Sequence, residues 1–185
     1  MTLFEFLSVA ISIVLALSAG QILTNLREVF DPSRRYWVHA LYVFQILLIH
    51  ILNWWSLWAY RDISSWNLAT FAVVLLGPGF LFICSSTLVP SYAQSVASWE
   101  EHFYKVRRWF FAARSLFIVV AGYRTWLLLD KPVLESPTPV SFPLLILSML
   151  GLTFANRRVH RLLAVVSTGI LLFGVTYFRL EAGTR

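Results

Sequence analysis

The residues of this sequence that could do chemistry stand inside its apolar runs. Between positions 36 and 60 the chain reads YWVHALYVFQILLIHILNWWSLWAY, which is long enough to cross a bilayer but is interrupted by polar side chains. On a helix turning about 100° per residue, five polar or titratable residues fall within about a third of the circumference. These five are His39, Tyr42, His50, Asn53 and Arg61. Lipid cannot satisfy such a stripe, so it must face protein or water.

Depth along the apolar runs groups part of this stripe with residues from two other runs. The residues at one level, toward the predicted outer side, are Glu5, Asn53, Arg61 and Arg124. His50 lies just inward of them, near mid-membrane and without a predicted partner. Because Arg124 is inside an apolar run, it needs an ion-pair partner such as Glu5 or a wet vestibule. Arg114 is predicted to lie near a span boundary and to reach the interface with its long side chain. The cluster is therefore either a structural ion pair or a vestibule that binds or passes a solute.

Histidines also gather at the opposite boundary, where His39, His102 and His160 share one predicted depth. Three imidazoles at one level could hold a metal, but their spacing matches no ligand motif, so no metal site is predicted. Haem between His39 and His50 is disfavoured because roughly 16 Å of helix separates them. A methionine ligand, a single histidine or a site between subunits remains open for haem. No cofactor is predicted.

Motifs of soluble enzymes are absent from the sequence, which has no Gly-rich phosphate loop, HExxH, CxxC or GxSxG. A membrane enzyme would have to use His50 or the boundary histidines with Glu100 or Glu101 as acid and base. Nothing in their spacing requires this, so the sequence favours a protein that is not an enzyme. Cys84 is the single cysteine, and it therefore forms no disulfide within the chain.

Composition indicates whether these residues belong to a soluble domain or to a membrane protein. The chain has 185 residues, of which 58% are hydrophobic and 13% charged, and its mean hydropathy is +0.71. Soluble domains carry about 25% charged residues. The 15 Lys and Arg lie mostly in short connections between apolar runs, so the net charge reflects membrane topology rather than a nucleic-acid partner. The sequence thus predicts a polytopic membrane protein whose main partner is the lipid bilayer.

The apolar runs predict an all-α fold of six transmembrane helices in a single domain, residues 1–185. The predicted spans are residues 3–26, 36–60, 66–89, 109–129, 140–156 and 162–178. Residues 17–19 have signal-peptidase spacing, but no basic region precedes them, so the first run is expected to be a retained span. Gly77, Pro78 and Gly79 interrupt the third run and predict a kink or a broken helix.

An amphipathic helix is predicted at about residues 92–108, between spans three and four. Apolar residues recur there at spacings of three and four, with charged residues on the other side. The helix should either lie at the membrane interface or extend the fourth span beyond the membrane.

Basic residues predict the orientation of the spans. Ten of the Lys and Arg flank the connections after spans one, three and five: Arg27, Arg34, Arg35, Lys105, Arg107, Arg108, Arg114, Arg157, Arg158 and Arg161. The other five lie on the opposite side: Arg61, Arg124, Lys131, Arg179 and Arg185. The more basic side is predicted to be cytoplasmic, which places both termini in the periplasm or outside the cell.

Three segments are distinctive: FEFLSVAISIVLAL near the start, the stretch from His50 to Trp55, and EHFYKVRRWFF from Glu101 to Phe111. Together they resemble a group of small six-span bacterial inner-membrane proteins. The resemblance covers most of the chain up to Phe111. It implies a location in the bacterial inner membrane and carries no activity.

These observations rank the functions. The first is an oligomeric channel or carrier-like protein with a polar pathway from spans one, two and four. A homo-oligomer is expected because so small a bundle gains by burying its polar stripes against copies of itself. The alternative is a non-transporting scaffold or accessory subunit that binds another membrane protein, and a membrane enzyme or haem protein comes third.

Overall fold

The computed structural model describes residues 2–63, 66–130 and 140–177, and these residues form helices, turns and short connections without a strand. The seven α-helices are α1 Leu3–Leu23, α2 Leu26–Val29, α3 Trp37–Ser56, α4 Leu68–Leu88, α5 Trp99–Leu129, α6 Ser141–Thr153 and α7 Arg157–Tyr177. Two 3₁₀ turns, Leu57–Tyr60 and Ala93–Ser95, follow α3 and α4. The predicted all-α class is therefore confirmed.

Five of these helical stretches in the described residues are long and apolar enough to cross a membrane. They are Leu3–Leu23, Trp37–Tyr60, Leu68–Ser95, Trp99–Leu129 and Arg157–Thr176. The predicted span at 140–156 is the exception, because α6 has only 13 residues. Its length of about 20 Å is less than the roughly 30 Å of a hydrocarbon core. The described residues are compatible with a multi-pass membrane protein and contain five helices of full spanning length where six spans are predicted.

Helix starts are fixed by local side-chain caps. Thr2 accepts the N–H of Glu5, while the Glu5 carboxylate accepts the N–H of Thr2 at 2.8 Å, which forms a capping box. Asn67 and Thr70 make the same reciprocal arrangement at the start of α4. Ser98 accepts the N–H of Glu101 and begins α5. Such caps satisfy backbone donors that have no partner within the first helical turn. In α1 the predicted site residue Glu5 is part of the cap.

Of the kink or break predicted at Gly77, Pro78 and Gly79, the break is wrong, because α4 continues through all three residues. Gly77 and Pro78 are buried, and a Cβ at Gly77 would lie 3.8 Å from Nη1 of Arg124. The lost backbone donor of Pro78 is tolerated because neighbouring helices hold the helix on both sides of it.

A separate amphipathic helix over residues 92–108 is not formed. Residues 93–95 make a 3₁₀ turn, and α5 then runs without interruption for 31 residues from Trp99. This helix is about 46 Å long, so its first turns extend the fourth span, which is the second of the two predicted arrangements. The extension is held in place by Trp99, whose indole N–H donates to the carbonyl of Glu28 at 2.7 Å.

Three connections, residues 24–36, 89–98 and 154–156, meet at one end of the bundle, which we call the basic end. The guanidinium of Arg34 donates to the carbonyls of Gln94 and Val96 at 2.9 Å. Arg157 pairs with Glu100 at 3.0 Å and so brings the start of α7 to the start of α5. The grouping predicted from the basic residues is thus present in the fold.

Arg34 also anchors the first of these connections from within. It pairs with Glu28 and, at 3.1 Å, with Asp31. The N–H and hydroxyl of Ser33 donate to Asp31 at 2.9 and 2.7 Å. These hydrogen bonds lower the pKa of the Asp31 carboxyl below its ordinary value, so the ion pair with Arg34 is present throughout the neutral range.

Candidate binding cavity between four helices

The polar stripe of α3 is divided among several neighbouring helices. Gln45, which the sequence analysis did not single out, is fully buried. Its amide donates to the hydroxyls of Ser167 and Thr168 on α7 at 3.0 and 2.7 Å. Hydrogen bonds of this kind between membrane helices join them because lipid offers no competing partner. Gln45, which lies outside the predicted stripe, thus holds α3 to α7.

His50 joins α3 to two other helices. One ring nitrogen, Nδ1, donates to the carbonyl of Ile46 at 2.7 Å, which leaves Nε2 of a neutral ring as an acceptor. Nε2 lies 2.6 Å from the hydroxyl of Ser18 on α1, and that hydroxyl lies 3.0 Å from the hydroxyl of Ser85 on α4. The expectation that His50 has no partner is therefore wrong. Both of its ring nitrogens are engaged by protein groups, so a haem or substrate would have to displace Ser18 or Ile46 to reach them.

Two of the boundary histidines close the end of α4. His39 donates from Nε2 to the carbonyl of Leu88 at 3.0 Å, and His102 donates from Nε2 to the carbonyl of Thr87 at 3.1 Å. The last carbonyls of a helix have no partner within the helix, so side-chain donors stabilise them. The rings of His39 and Trp99 stack at 4.7 Å. These two histidines act as helix caps.

His160 caps a different helix. Its Nε2 donates to the carbonyl of Phe154 just beyond α6 at 2.8 Å. Phe103 packs against the His160 ring at 5.3 Å. Within the described residues no group of three or more His, Cys, Asp or Glu is placed to hold a metal.

A cavity of about 130 Å³ lies between α3, α5, α6 and α7, and we call it the four-helix cavity. Its apolar walls come from Ile49, Leu52, Phe117, Ile118, Ala121, Val140, Leu144 and Leu171. Its polar lining comes from Asn53, Ser56, Arg114, Arg124 and Ser141. A mostly apolar wall with a few convergent polar groups is typical of ligand sites. Only Asn53 and Arg124 of this lining belong to the predicted site.

Arg114 lies elsewhere than its sequence pattern predicts. The pattern places its guanidinium at the interface, but the residue is only 2% exposed. The physical reason is that α5 begins at Trp99 rather than near Trp109, so Arg114 lies in the middle of a long helix and cannot reach either end. Its guanidinium carbon lies 5.7 Å from the ring centre of Tyr42. Two of its donors, Nε and Nη2, are buried with no hydrogen-bond partner in the protein.

Arg124 lines the same cavity nearer the end of α5 and is only 3% exposed. It donates to Oδ1 of Asn53 at 3.4 Å and to the hydroxyl of Ser56 at 3.3 Å, beyond the usual 2.7–3.2 Å or so of strong hydrogen bonds. Its guanidinium carbon lies 5.2 Å from the ring centre of Tyr60. Nε of Arg124 and Nδ2 of Asn53 are buried without a partner. Arg124 therefore keeps unused hydrogen-bonding capacity despite its three neighbours.

The remaining predicted site residues lie elsewhere. Glu5 is exposed on α1, and the predicted pair of Glu5 with Arg124 is not among the ion pairs of the described residues. Arg61 pairs with the neighbouring Asp62 at 3.3 Å and lies over the ring of Trp58. The four-helix cavity is lined by residues of α3 and α5, from the predicted spans two and four, while α1 contributes none of its lining residues. The pathway from spans one, two and four stays a prediction.

Together, the fold and the cavity are those of a helical bundle, compatible with a multi-pass membrane protein, in which two buried arginines line one internal space. No protein-family model, curated protein or solved structure matches the chain. The resemblance to six-span inner-membrane proteins stays a prediction.

Proposed function

We propose that this protein is a carrier-like membrane protein that binds its solute in the four-helix cavity. The observation that supports the proposal is a set of four buried donor atoms without a protein acceptor: Arg114 Nε, Arg114 Nη2, Arg124 Nε and Asn53 Nδ2. Leaving a buried donor unpaired costs about 1–3 kcal/mol, so proteins rarely gather four of them. A ligand that carries hydrogen-bond acceptors removes this cost when it binds.

The lining and the volume of the cavity suit a small solute. Its polar groups come from α3, α5 and the start of α6, while α7 contributes the apolar Leu171. A water molecule needs on the order of 10–15 Å³ of such space. The cavity thus has room for several waters or for one small polyatomic solute.

Membrane location and orientation complete the proposal. We assign the chain to a bacterial inner membrane with the basic end in the cytoplasm, because basic connections are retained on that side. Arg124 and Asn53 then lie toward the outer side of the membrane, and copies of the chain assemble into a homo-oligomer.

Transport by reconstituted protein tests this proposal. Purified protein in liposomes is expected to take up at least one member of a panel of small anionic, neutral and cationic solutes faster than protein-free liposomes do. Ala121→Trp should abolish that uptake because Ala121 lines the cavity and an indole would fill it. Val119→Trp is the matched control, because Val119 lies on the same helix, is 51% exposed and does not line the cavity. No uptake by the wild type, or equal uptake by both variants, would contradict the proposal.

One set of contacts favours a second function, a non-transporting scaffold or accessory subunit. The polar residues His39, Gln45 and His50 of α3 are used in hydrogen bonds to α1, α4 and α7, as expected of a purely structural bundle. This function would be favoured if no solute is taken up and if the stability of Ala121→Trp is the same in every solute tested.

A further inference from the structure

We infer that the ligand of the four-helix cavity is an oxyanion, bound by the side-on edge of Arg114 with Arg124 and Asn53 nearby. This inference rests on the proposed function, since it names the substrate class of the same cavity. The oxyanion is a phosphate-like group, either free in solution or carried on a lipid headgroup.

Charge is the first argument. Both arginines remain protonated in proteins, and both are nearly fully buried. Burying an uncompensated charge costs several kcal/mol. Five carboxylates of the described residues are bonded elsewhere: Glu5 to Thr2, Glu28 and Asp31 to Arg34, Asp62 to Arg61, and Glu100 to Arg157. Glu101 and Asp130 are exposed. An anion in the cavity would compensate the two arginines.

The geometry of the open donors is the second argument. Nε and Nη2 are the two donors on one edge of a guanidinium, and their N–H bonds run parallel. This edge binds two oxygens of a carboxylate or phosphate at once. The two donors of Arg114 that lack partners are this pair. The guanidinium carbon lies 5.7 Å from the ring centre of Tyr42, and neither donor of this edge has a hydrogen-bond partner in the protein.

Position along α5 is the third argument. Arg124 lies ten residues after Arg114, so roughly 15 Å of helix separates their backbones. Arg124 is also only five residues from Leu129, the last residue of α5, or roughly 8 Å of helix. Of the two arginines, Arg124 is therefore nearer to this end of the helix, and Arg114 lies deeper in the bundle. Both residues line the cavity, and both carry buried donors without a protein acceptor.

Thermal unfolding of the purified protein in detergent tests the inference. Inorganic phosphate and sulfate are titrated in one arm, and phosphatidic acid in mixed micelles in the other. A saturable rise in Tm is expected in at least one arm. Arg114→Lys keeps the charge but removes the parallel donor pair, so it should weaken apparent affinity about tenfold or more. Arg114→Gln should remove the response. Arg61→Gln is the matched control, because Arg61 is an arginine outside the cavity paired with Asp62.

The outcomes distinguish a soluble oxyanion from a lipid headgroup, and they test the ligand class separately from the carrier function. A response to free phosphate or sulfate identifies a soluble anion, and a response to phosphatidic acid alone identifies a lipid headgroup. Sulfate and phosphate also stabilise proteins by exclusion from their surface. An equal rise in wild type and Arg114→Gln, or no rise in either arm, would therefore overturn the oxyanion site. Uptake of a neutral solute without any oxyanion response would leave the carrier standing and overturn only the ligand class. Oxyanion binding without uptake of any solute would leave the ligand class standing and overturn the carrier function.

Discussion

A comparison of Arg107 with Arg114 tests most directly whether the donors of Arg114 are unpaired. The two arginines lie on the same helix but have different partners. They lie seven residues apart on α5, nearly on one face, and both are buried. Arg107 donates from Nη1 to the carbonyls of Gly151, Leu152 and Phe154 at 3.1 to 3.2 Å. Arg114 has two buried donors without a hydrogen-bond partner, and its guanidinium lies over the ring of Tyr42. Replacing each by Met should therefore change stability in opposite directions.

The magnitudes follow from these contacts. A hydrogen bond from a charged donor contributes about 1.5–3 kcal/mol. Because one nitrogen of Arg107 donates to three carbonyls, we expect Arg107→Met to destabilise by about 2–4 kcal/mol. Arg114→Met loses a cation–π contact of about 2 kcal/mol with Tyr42 but removes a desolvation penalty of several kcal/mol. We expect a net stabilisation of about 1–3 kcal/mol in the absence of ligand.

Thermal unfolding in one detergent, without phosphate or anionic lipid, measures the difference. At about 2–4 °C per kcal/mol for a chain of this length, the two variants should differ in Tm by on the order of 10 °C. Arg114→Leu repeats the test with another apolar side chain and guards against poor packing of Met alone. A fall in Tm for both Arg114 variants that matches the fall for Arg107→Met would refute the reasoning. It would mean that Arg114 has an acceptor in the folded protein and that its donors are not open to a ligand.

Three further variants test how the cavity is held in place, each by its change in free energy of unfolding. Gly151→Ala should destabilise by about 1–3 kcal/mol, since a Cβ would lie 2.5 to 2.7 Å from ring atoms of Phe111, and adding Phe111→Leu should recover part of the loss. His50→Leu should destabilise by about 0.6–2 kcal/mol, and a double-mutant cycle with Ser18→Ala should show a coupling of similar size. Gln45→Leu should lose about 1 kcal/mol through its bonds to α7.

Controls for these variants come from the same chain. Gly169→Ala should leave stability nearly unchanged, because no atom outside its own helix lies within 4 Å of the added Cβ. Additive effects of His50→Leu and Ser18→Ala would contradict the hydrogen bond between them. Gln45→Leu without a loss of stability would show that Ser167 and Thr168 find other partners on α7.

Much of the fold follows from local sequence alone. Runs of apolar residues predict helices at α1, α3, α4 and α7 because a backbone in lipid must satisfy its own hydrogen bonds. Errors arose at α5 and α6, whose lengths depend on neighbours. The turns of α5 from Trp99 onward are amphipathic by sequence, and packing against residues 24–36 makes them continuous with the span. The short α6 ends where Arg107 donates to the carbonyls of Gly151 and Leu152, and His160 donates to the carbonyl of Phe154 just beyond the helix.

The candidate site was predictable only in part. Asn53 and Arg124 were found because polar residues at one depth in apolar runs must find partners. Arg114 was missed because its burial depends on where α5 begins. Gln45 was missed because its partners, Ser167 and Thr168, are more than a hundred positions away in the sequence. Pairing across helices has no local sequence signal.

The sequence by itself determined that this is a helical membrane protein with a polar stripe on its second long helix and a basic end. Hydropathy and charge pattern carry that information, since each depends only on residues close together in the chain. Only the tertiary structure decided how the stripe is divided. In the structure His39 caps a helix end, His50 bonds to a neighbouring helix, and Asn53 lines a cavity with Arg114 and Arg124. Gln45, outside the stripe, bonds to another helix. The reason is that a polar group in a membrane protein takes the nearest partner in space, and helix packing alone sets which partner that is.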